Sequence, residues 1–216
     1  MIKTKFAGHE IFVEESEHYL QANDISITDI NVLWEQMKIY YENYDVMFCY
    51  HNTKVPVGFM SIIGAVLVDD CVEMRLAEKY FKVSDIYNVV QVTEIDFEAF
   101  AAFHDERNPE MYWTSERIKK DLNRWGIFML SSGSQIASYI LIAMWNPTQA
   151  EIFCVETTEH IQGEALIAAA SAFAFEKGKT EVLYMADENT IAHKAALAIG
   201  FHITGYYQGY EIKSRK

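Results

Sequence analysis

Basic residues are scarce in this 216-residue chain. There are 18 Lys and Arg against 31 Asp and Glu, which gives a formal net charge of −13 at pH 7. Nucleic-acid binding needs Lys and Arg to neutralise phosphates, so no nucleic-acid partner is expected. The acidic potential favours a cationic amine as substrate, although such charge usually only keeps a protein soluble.

Cysteine is also scarce, with Cys49, Cys71 and Cys154 scattered along the chain and no CxxC pair. This spacing predicts neither a zinc cluster nor a disulfide framework, and the seven histidines show no metal-ligand spacing. Reduced thiols indicate a cytoplasmic protein. Long apolar runs are missing too, since Ser171 interrupts the Ala165–Phe175 segment, and the N-terminus lacks a signal-peptide core. We therefore expect no metal and no membrane partner.

The stretch from Ala150 to Phe201 carries the clearest pattern. It predicts a strand at Ile152–Val155, a polar loop, an Ala-rich helix, a strand at Val182–Met185 and a last helix that ends at Gly200. A strand that enters a helix through a Gly-containing loop makes an anion site. The first helical amides have no internal partner, and the helix dipole is positive there. A plain turn with a glycine for its geometry is the alternative.

This stretch resembles the GNAT N-acetyltransferase superfamily. The pyrophosphate loop of that family, Arg/Gln-x-x-Gly-x-Gly/Ala, is matched by His160, Ile161, Gln162, Gly163, Glu164 and Ala165. Its later Asn-x-x-Ala and Gly-Phe signals are matched by Asn189, Ala192 and Gly200–Phe201. The resemblance implies an α/β (α+β) fold, in which helices flank a mixed, mostly antiparallel central sheet. It extends over residues 85–216.

The resemblance also implies acetyl-CoA as co-substrate and acetyl transfer to the primary amine of a small molecule or peptide. The loop would hold the pyrophosphate, and the main chain of Phe153, Cys154 and Val155 would meet the pantetheine arm and the thioester carbonyl. In the family, the residue that matches Asn189 contacts the cofactor, and Lys194 could meet a CoA phosphate. Asn189 also fits a simple helix cap, and Lys194 a solvated charge.

The candidate general base is Glu151. Strand alternation places it on the same face as Phe153 and Val155, with Glu156 on the opposite face. Carboxylates on this strand often act as bases in the family, directly or through water. A solvated glutamate without a catalytic role is the alternative.

Three departures from the family pattern favour a second interpretation. His160 replaces the usual Arg or Gln, Glu159 and Glu164 add negative charge to the loop, and Ala196 stands where a tyrosine commonly protonates the CoA thiolate. We expect Ala196 to leave space beside the cofactor sulfur. The alternative to an enzyme is therefore a catalytically degenerate GNAT-like protein with a ligand-binding or regulatory role.

Residues 1–84 form a smaller N-terminal α/β half. Helices are predicted from His9 to Leu20 and from Ile30 to Glu42, and strands at Val46–Tyr50, Val55–Ile63 and Cys71–Leu76. Their order resembles that of the second half, which indicates either a partial GNAT-like copy, as in tandem members of the family, or an unrelated extension. Tyrosines at 206, 207 and 210 suit an acceptor pocket, a covered sheet or a homodimer interface.

Overall fold

The structure is a computed structural model that describes residues 2–6, 9–15, 18–26, 31, 34–35, 38, 42–56, 58–82, 88–109, 111–132 and 135–214. It confirms the expected fold class, because helices flank strands that are mostly antiparallel. The chain divides into two compact units, Met1–Val72 with Gly205–Lys216 and Glu73–Thr204. The boundary expected between residues 84 and 85 lies inside the second unit.

The first unit is built on five strands. They are β1 (Ile2–Phe6), β2 (His9–Glu14), β3 (Tyr19–Asn23), β4 (Asp45–His51) and β11 (His202–Ile212), hydrogen-bonded in the order β1-β2-β3-β4-β11. Only residues 205–212 of β11 belong to this unit. The pairs β1–β2, β2–β3 and β4–β11 are antiparallel, whereas β3–β4 is parallel. Its core packs Leu20, Val46, Phe48 and Tyr50 in full burial.

Two predictions in this unit are wrong. The segment His9–Leu20 forms β2 and the start of β3 rather than a helix, because Val13 pairs opposite Leu20 across the turn and Ile11 is buried. The expected strand at Val55–Ile63 is a turn followed by a 3-10 helix at Met60–Ile63, since Pro56 cannot donate to a ladder. The predicted helix from residue 30 to 42 falls largely outside the described residues.

The second unit holds the motif-bearing stretch. Its elements are β5 (Val66–Ala77, from Glu73 onward), β6 (Val90–Gln91), α1 (Phe97–Arg107), α2 (Ser115–Lys120), β7 (Trp125–Ser132), β8 (Gln135–Ala143), β9 (Gln149–Glu156), α3 (His160–Glu176), β10 (Glu181–Asp187) and α4 (Ile191–Ile199). The strand order is β5-β10-β9-β8-β7-β6. Strands β9 and β10 are parallel, while β6–β7, β7–β8 and β8–β9 are antiparallel.

The middle of helix α3 is buried because its alanines let it lie close to the sheet. Leu166, Ile167 and Ala170 have no exposed surface, and a Cβ on Gly126 of β7 would come within 2.9 Å of Phe173 on this helix. The helix ends at Glu176, and Gly178, two residues later, has a left-handed φ of 81°. On the other face of the sheet α1 packs Phe100 and His104 against Tyr139. In the ranges given above, no helix is long and apolar enough to cross a membrane.

Candidate active site

The parallel strands β9 and β10 separate part-way along their length. Their pairing runs from Gln149 opposite Glu181 to Ile152 opposite Tyr184. Both strands continue, β9 to Glu156 and β10 to Asp187, without further pairing to each other. A cavity of about 470 Å³ opens there, lined by Phe153, Cys154, Val155, Thr157, Tyr184, Met185, Asp187, Thr190, Ile191 and Ala192. Separated strand ends leave main-chain groups that a ligand can bind.

A β-bulge lies at the same point of β9. On β8, Leu141 pairs with Cys154 and Ile142 pairs with Ile152, so Phe153 is the extra residue. Directly opposed residues point to the same face of a sheet, and the bulge therefore reverses the alternation. The expected grouping of Glu151 with Val155 is wrong. Glu151 shares its face with Cys154 and Glu156, because their partners on β8 are Ala143, Leu141 and Tyr139.

Helix α3 begins directly after the loop that follows β9. Its N-terminal residue is His160, four positions earlier than the expected Glu164, and the preceding Glu159 makes no side-chain cap. The amide of Gly163 is the first to bond within the helix, to the Glu159 carbonyl at 3.0 Å. The amides of the three residues before it have no partner inside the helix, so this end can bind an anion.

Comparison with known proteins settles the fold. No protein-family model and no curated protein matches the chain. A GCN5-related N-acetyltransferase from Kribbella flavida superposes with a TM-score of 0.70 at 11% identity, covering 97% of this chain and 88% of that one. The chain has the GNAT fold.

Two other solved structures extend this likeness over the whole chain. A conserved protein of unknown function from Staphylococcus epidermidis ATCC 12228 has a TM-score of 0.69 at 14% identity, covering 98% of this chain and 93% of that one. A tandem GNAT protein from the clavulanic acid biosynthesis pathway, in a structure without acetyl-CoA, has a TM-score of 0.56 at 11% identity, covering 96% and 80%. Identities this low establish the GNAT fold alone.

The packing of α3 against α4 leaves little room for a side chain at Gly163 of the GNAT-like loop. A Cβ on Gly163 would lie 3.1 Å from the Cβ of Ala195 on α4 and 3.3 Å from Cγ2 of Thr157. Such contacts are tighter than ordinary van der Waals packing, so a larger side chain would push α3 away from α4. Ala165, the small residue two positions later, is buried as well. Replacing Gly163 therefore disturbs the fold together with any ligand, and other positions give cleaner tests.

The polar side chains of the loop motif turn toward the protein. Gln162 accepts a hydrogen bond from the buried Ser138 hydroxyl at 2.5 Å. His160 places Nδ1 2.7 Å from Oε1 of Glu164, one helical turn away. Ile161 is 79% exposed at the second position of α3. The motif therefore presents main-chain amides, with an apolar side chain beside them and no Lys or Arg.

The start of α4 differs from the sequence prediction. Its N-cap is Thr190, whose hydroxyl accepts from the His193 amide at 3.2 Å and donates to the Asp187 carbonyl at 2.8 Å. The expected cap, Asn189, instead has a left-handed φ of 70° and lies exposed before the helix. A short polar side chain tolerates that conformation, which turns the chain from β10 into α4. Thr190 lines the cavity.

Lys194 and Ala196 both lie away from the cavity lining. Lys194 is exposed on α4. Ala196 is fully buried, and its carbonyl accepts from the Phe201 amide at 3.1 Å. The expected space beside Ala196 is wrong, since its methyl group is enclosed by the core. The residue on the same helix that borders the cavity is Ala192, one turn earlier.

Glu151 lines a separate, smaller cavity. That cavity measures about 140 Å³ and includes Trp145, Asn146 and Gln149. The Trp145 ring of this cavity lies 5.2 Å from the ring of the bulged Phe153, between centroids. In the described part of the chain, no group of three His, Cys, Asp or Glu side chains is placed to hold a metal.

The sequence-based prediction missed Tyr139 and His104, which are hydrogen-bonded to each other beside the site. Tyr139 of β8 is fully buried, with its hydroxyl 3.4 Å from the Cys154 sulfur and 2.7 Å from Nδ1 of His104. Burial raises the pKa of Cys154 to about 11, and the nearby Glu156 carboxylate raises it further. A tyrosine inside an apolar strand needs a hydroxyl partner, which was the signal available in the sequence.

Proposed function

We propose that this protein is an acyl-CoA-dependent N-acetyltransferase that acetylates the primary amine of a small molecule or peptide. The observation that carries the proposal is the separation of β9 from β10 beside the N-terminus of α3. One place thereby offers a slot for a linear arm and a set of helical amides for a pyrophosphate. Acetyl-CoA has both parts, joined end to end.

In this proposal the main chain does most of the cofactor binding. The amides of His160, Ile161 and Gln162 receive the pyrophosphate. The backbone of Phe153, Cys154 and Val155 receives the pantetheine amides and the thioester carbonyl, where a hydrogen-bond donor stabilises the developing oxyanion. Neither task requires a basic side chain, which is consistent with the acidic loop.

The other residues expected to bind the cofactor have different roles in this proposal. Glu164 and Ala165 serve by shaping the first turns of α3, while Gly163 permits the α3–α4 contact. Asn189 turns the chain between β10 and α4, and Lys194, exposed on α4, would attract the outer phosphate from solvent. Glu151, beside Trp145, acts on the acceptor side, because a carboxylate next to an aromatic ring suits an ammonium group.

Isothermal calorimetry with acetyl-CoA tests the proposal. Ala192→Phe places a ring in the cavity from α4 and should weaken acetyl-CoA binding at least about tenfold. Ala198→Phe, on the exposed side of the same helix, is the matched control and should stay within about twofold of the wild type. The proposal fails if the wild type shows no heat with acetyl-CoA at about 1 mM, or if both variants bind equally well.

A catalytically degenerate ligand-binding or regulatory protein is the second candidate. The buried Ala196 favours it, since the position of the usual tyrosine holds no acid. Turnover decides between the two: acetyl-CoA binding without CoA release, across a panel of small amines and lysine-containing peptides, would support the second candidate.

We also propose a cytoplasmic protein in which residues 1–84 form a partial GNAT-like copy. The likeness to a tandem GNAT protein over 96% of this chain supports the second part. The C-terminal tyrosines make a homodimer a further proposal, which light scattering of the full chain tests directly.

A further inference from the structure

A chain of buried hydrogen bonds leads away from the cavity. It joins Cys154 on β9, Tyr139 on β8 and His104 on α1. His104 and Tyr139 have no exposed surface, whereas Cys154 lines the cavity. These hydrogen bonds therefore connect the proposed reaction site to an imidazole that solvent does not reach.

The groups around His104 and Tyr139 determine which atom donates and which accepts in each of these hydrogen bonds. Nε2 of His104 lies 2.8 Å from the Trp113 carbonyl, which can only accept, so in the neutral imidazole the proton is on Nε2. Nδ1 must then accept from the Tyr139 hydroxyl at 2.7 Å. The Asn108 amide donates to the same oxygen at 2.8 Å. One acceptor position remains on that oxygen, and the Cys154 thiol fills it as donor at 3.4 Å.

Acetyl transfer to an amine needs a proton acceptor and, afterwards, a proton donor for the CoA thiolate. The two positions expected from the sequence to serve these steps, Glu151 and Ala196, are not among the residues that line the cavity between β9 and β10. Glu151 lines a different, smaller cavity, and Ala196 is fully buried. Cys154, in contrast, is a lining residue of the cavity, and its sulfur lies 3.4 Å from the Tyr139 hydroxyl, which is itself bonded to His104.

We propose that Cys154, Tyr139 and His104 form a proton relay that serves both steps, an inference that rests on the proposed acetyl transfer. As the amine attacks the thioester carbonyl, the nitrogen–carbon bond forms and the nitrogen loses a proton to the Cys154 sulfur. The thiol proton passes to the Tyr139 oxygen, and the Tyr139 proton passes to Nδ1 of His104.

The second step reverses the relay. The carbon–sulfur bond of the thioester breaks, and the CoA thiolate takes the proton that Cys154 releases. Cys154 recovers a proton from Tyr139, and Tyr139 recovers one from His104. Each group ends in its starting state, and one proton has moved from the amine to CoA. No oxidant, metal or further co-reactant is needed.

Two carboxylates, on Glu156 and Asp105, lie near the relay. Burial is the main cause of the raised pKa of Tyr139, and the carboxylates of Glu156 and Asp105 raise it further. Asp105 is held in place by the Ser115 amide at 2.9 Å. In the resting state the thiol and the phenol are both neutral, so the relay begins with its protons in place.

The test measures acetyl-CoA turnover by the full chain, with the most active amine from the panel described above. Tyr139→Phe removes the central link and should lower kcat about a hundredfold, the usual scale of general acid–base catalysis, while the acetyl-CoA dissociation constant stays within about twofold. Cys154→Ser keeps a hydroxyl that can relay a proton and should retain about tenfold more activity than Cys154→Ala. Tyr50→Phe, at another buried tyrosine, is the matched control and should keep wild-type kcat.

The solvent isotope effect separates a relay from a structural role. In mixtures of H₂O and D₂O, the wild-type rate should curve with deuterium fraction because several protons move together, and the curve should become linear in Tyr139→Phe. If Tyr139→Phe keeps the wild-type kcat and the curved dependence of rate on deuterium fraction, the relay is refuted while the proposed acetyl transfer stands. An acetyl group on Cys154 in intact-protein mass spectrometry would also refute it, because the thiol would then be a nucleophile. Absent turnover in the wild type would refute the proposed activity and the relay together.

Discussion

The exposed position of Ile161 allows the proposed pyrophosphate site to be tested without touching the core. Ile161 is the second residue of α3 and is 79% exposed, so it tolerates Glu, Gln or Lys. Gln is the neutral reference. Glu adds a negative charge beside the amides that would receive the pyrophosphate, and Lys adds a positive one.

Coulomb's law gives the size of the expected effect. At roughly 6 Å and a water-like dielectric constant of about 80, two unit charges interact with about 0.7 kcal/mol. Two pyrophosphate charges double this to about 1.4 kcal/mol, which is about tenfold in affinity. We therefore expect Ile161→Glu to bind acetyl-CoA about tenfold more weakly than Ile161→Gln, and Ile161→Lys about tenfold more tightly.

Protein stability should change in the opposite direction. A carboxylate in the first turn of a helix stabilises it by about 0.3–1 kcal/mol, and a cation there is unfavourable. Calorimetry at about 50 mM and about 0.3 M salt, with thermal unfolding of the ligand-free proteins, measures both quantities, and the affinity differences should shrink at the higher salt. Equal acetyl-CoA affinity in the Glu and Lys variants would show that the pyrophosphate lies elsewhere.

Three further predictions concern packing, the acceptor side and the buried thiol. Gly126→Ala should lower the free energy of unfolding by about 1–3 kcal/mol in denaturant titrations, because the new Cβ would lie 2.7 Å from Ile142 Cγ2. Unchanged stability would mean that the sheet and α3 can move apart. Glu151→Gln should raise the KM for a cationic amine severalfold with kcat nearly unchanged, whereas a hundredfold fall in kcat at saturating amine would restore Glu151 as the general base. Burial raises the pKa of Cys154 from 9.0 to about 11, so its alkylation by iodoacetamide at pH 8 should be about 100-fold slower than in the unfolded chain. The alkylation rate should rise with pH until the pH passes about 11. A plateau of the rate near pH 9 would contradict the burial argument.

Much of the region from residue 150 to 201 follows from local signals. Helix α3 is specified by its run of alanines, and its end by Gly178, whose left-handed φ needs no tertiary information. Gly200 ends α4 in the same way, with φ of 112°. These signals act within a few residues, and the order of strand, helix, strand and helix could therefore be predicted correctly.

The details of the site depend on partners distant in sequence. The bulge at Phe153 arises from the register of β9 against β8, and neither strand specifies it alone. The cap of α4 could be Asn189 or Thr190 by residue type, and the turn out of β10 selects Thr190. Tyr139 reaches its partner across 35 positions of sequence, which periodicity does not detect.

The first unit is discontinuous in sequence, and this affects how the chain folds during synthesis. Strand β4 is paired on one side by β11, from His51 opposite Tyr207 to Val46 opposite Ile212. These partners are translated only after all of Glu73–Thr204 has been made. Domains usually fold in the order in which they leave the ribosome. Here the second unit has its whole sequence available first, while the first unit waits with an unpaired strand edge, which is the state in which a nascent chain most needs a chaperone.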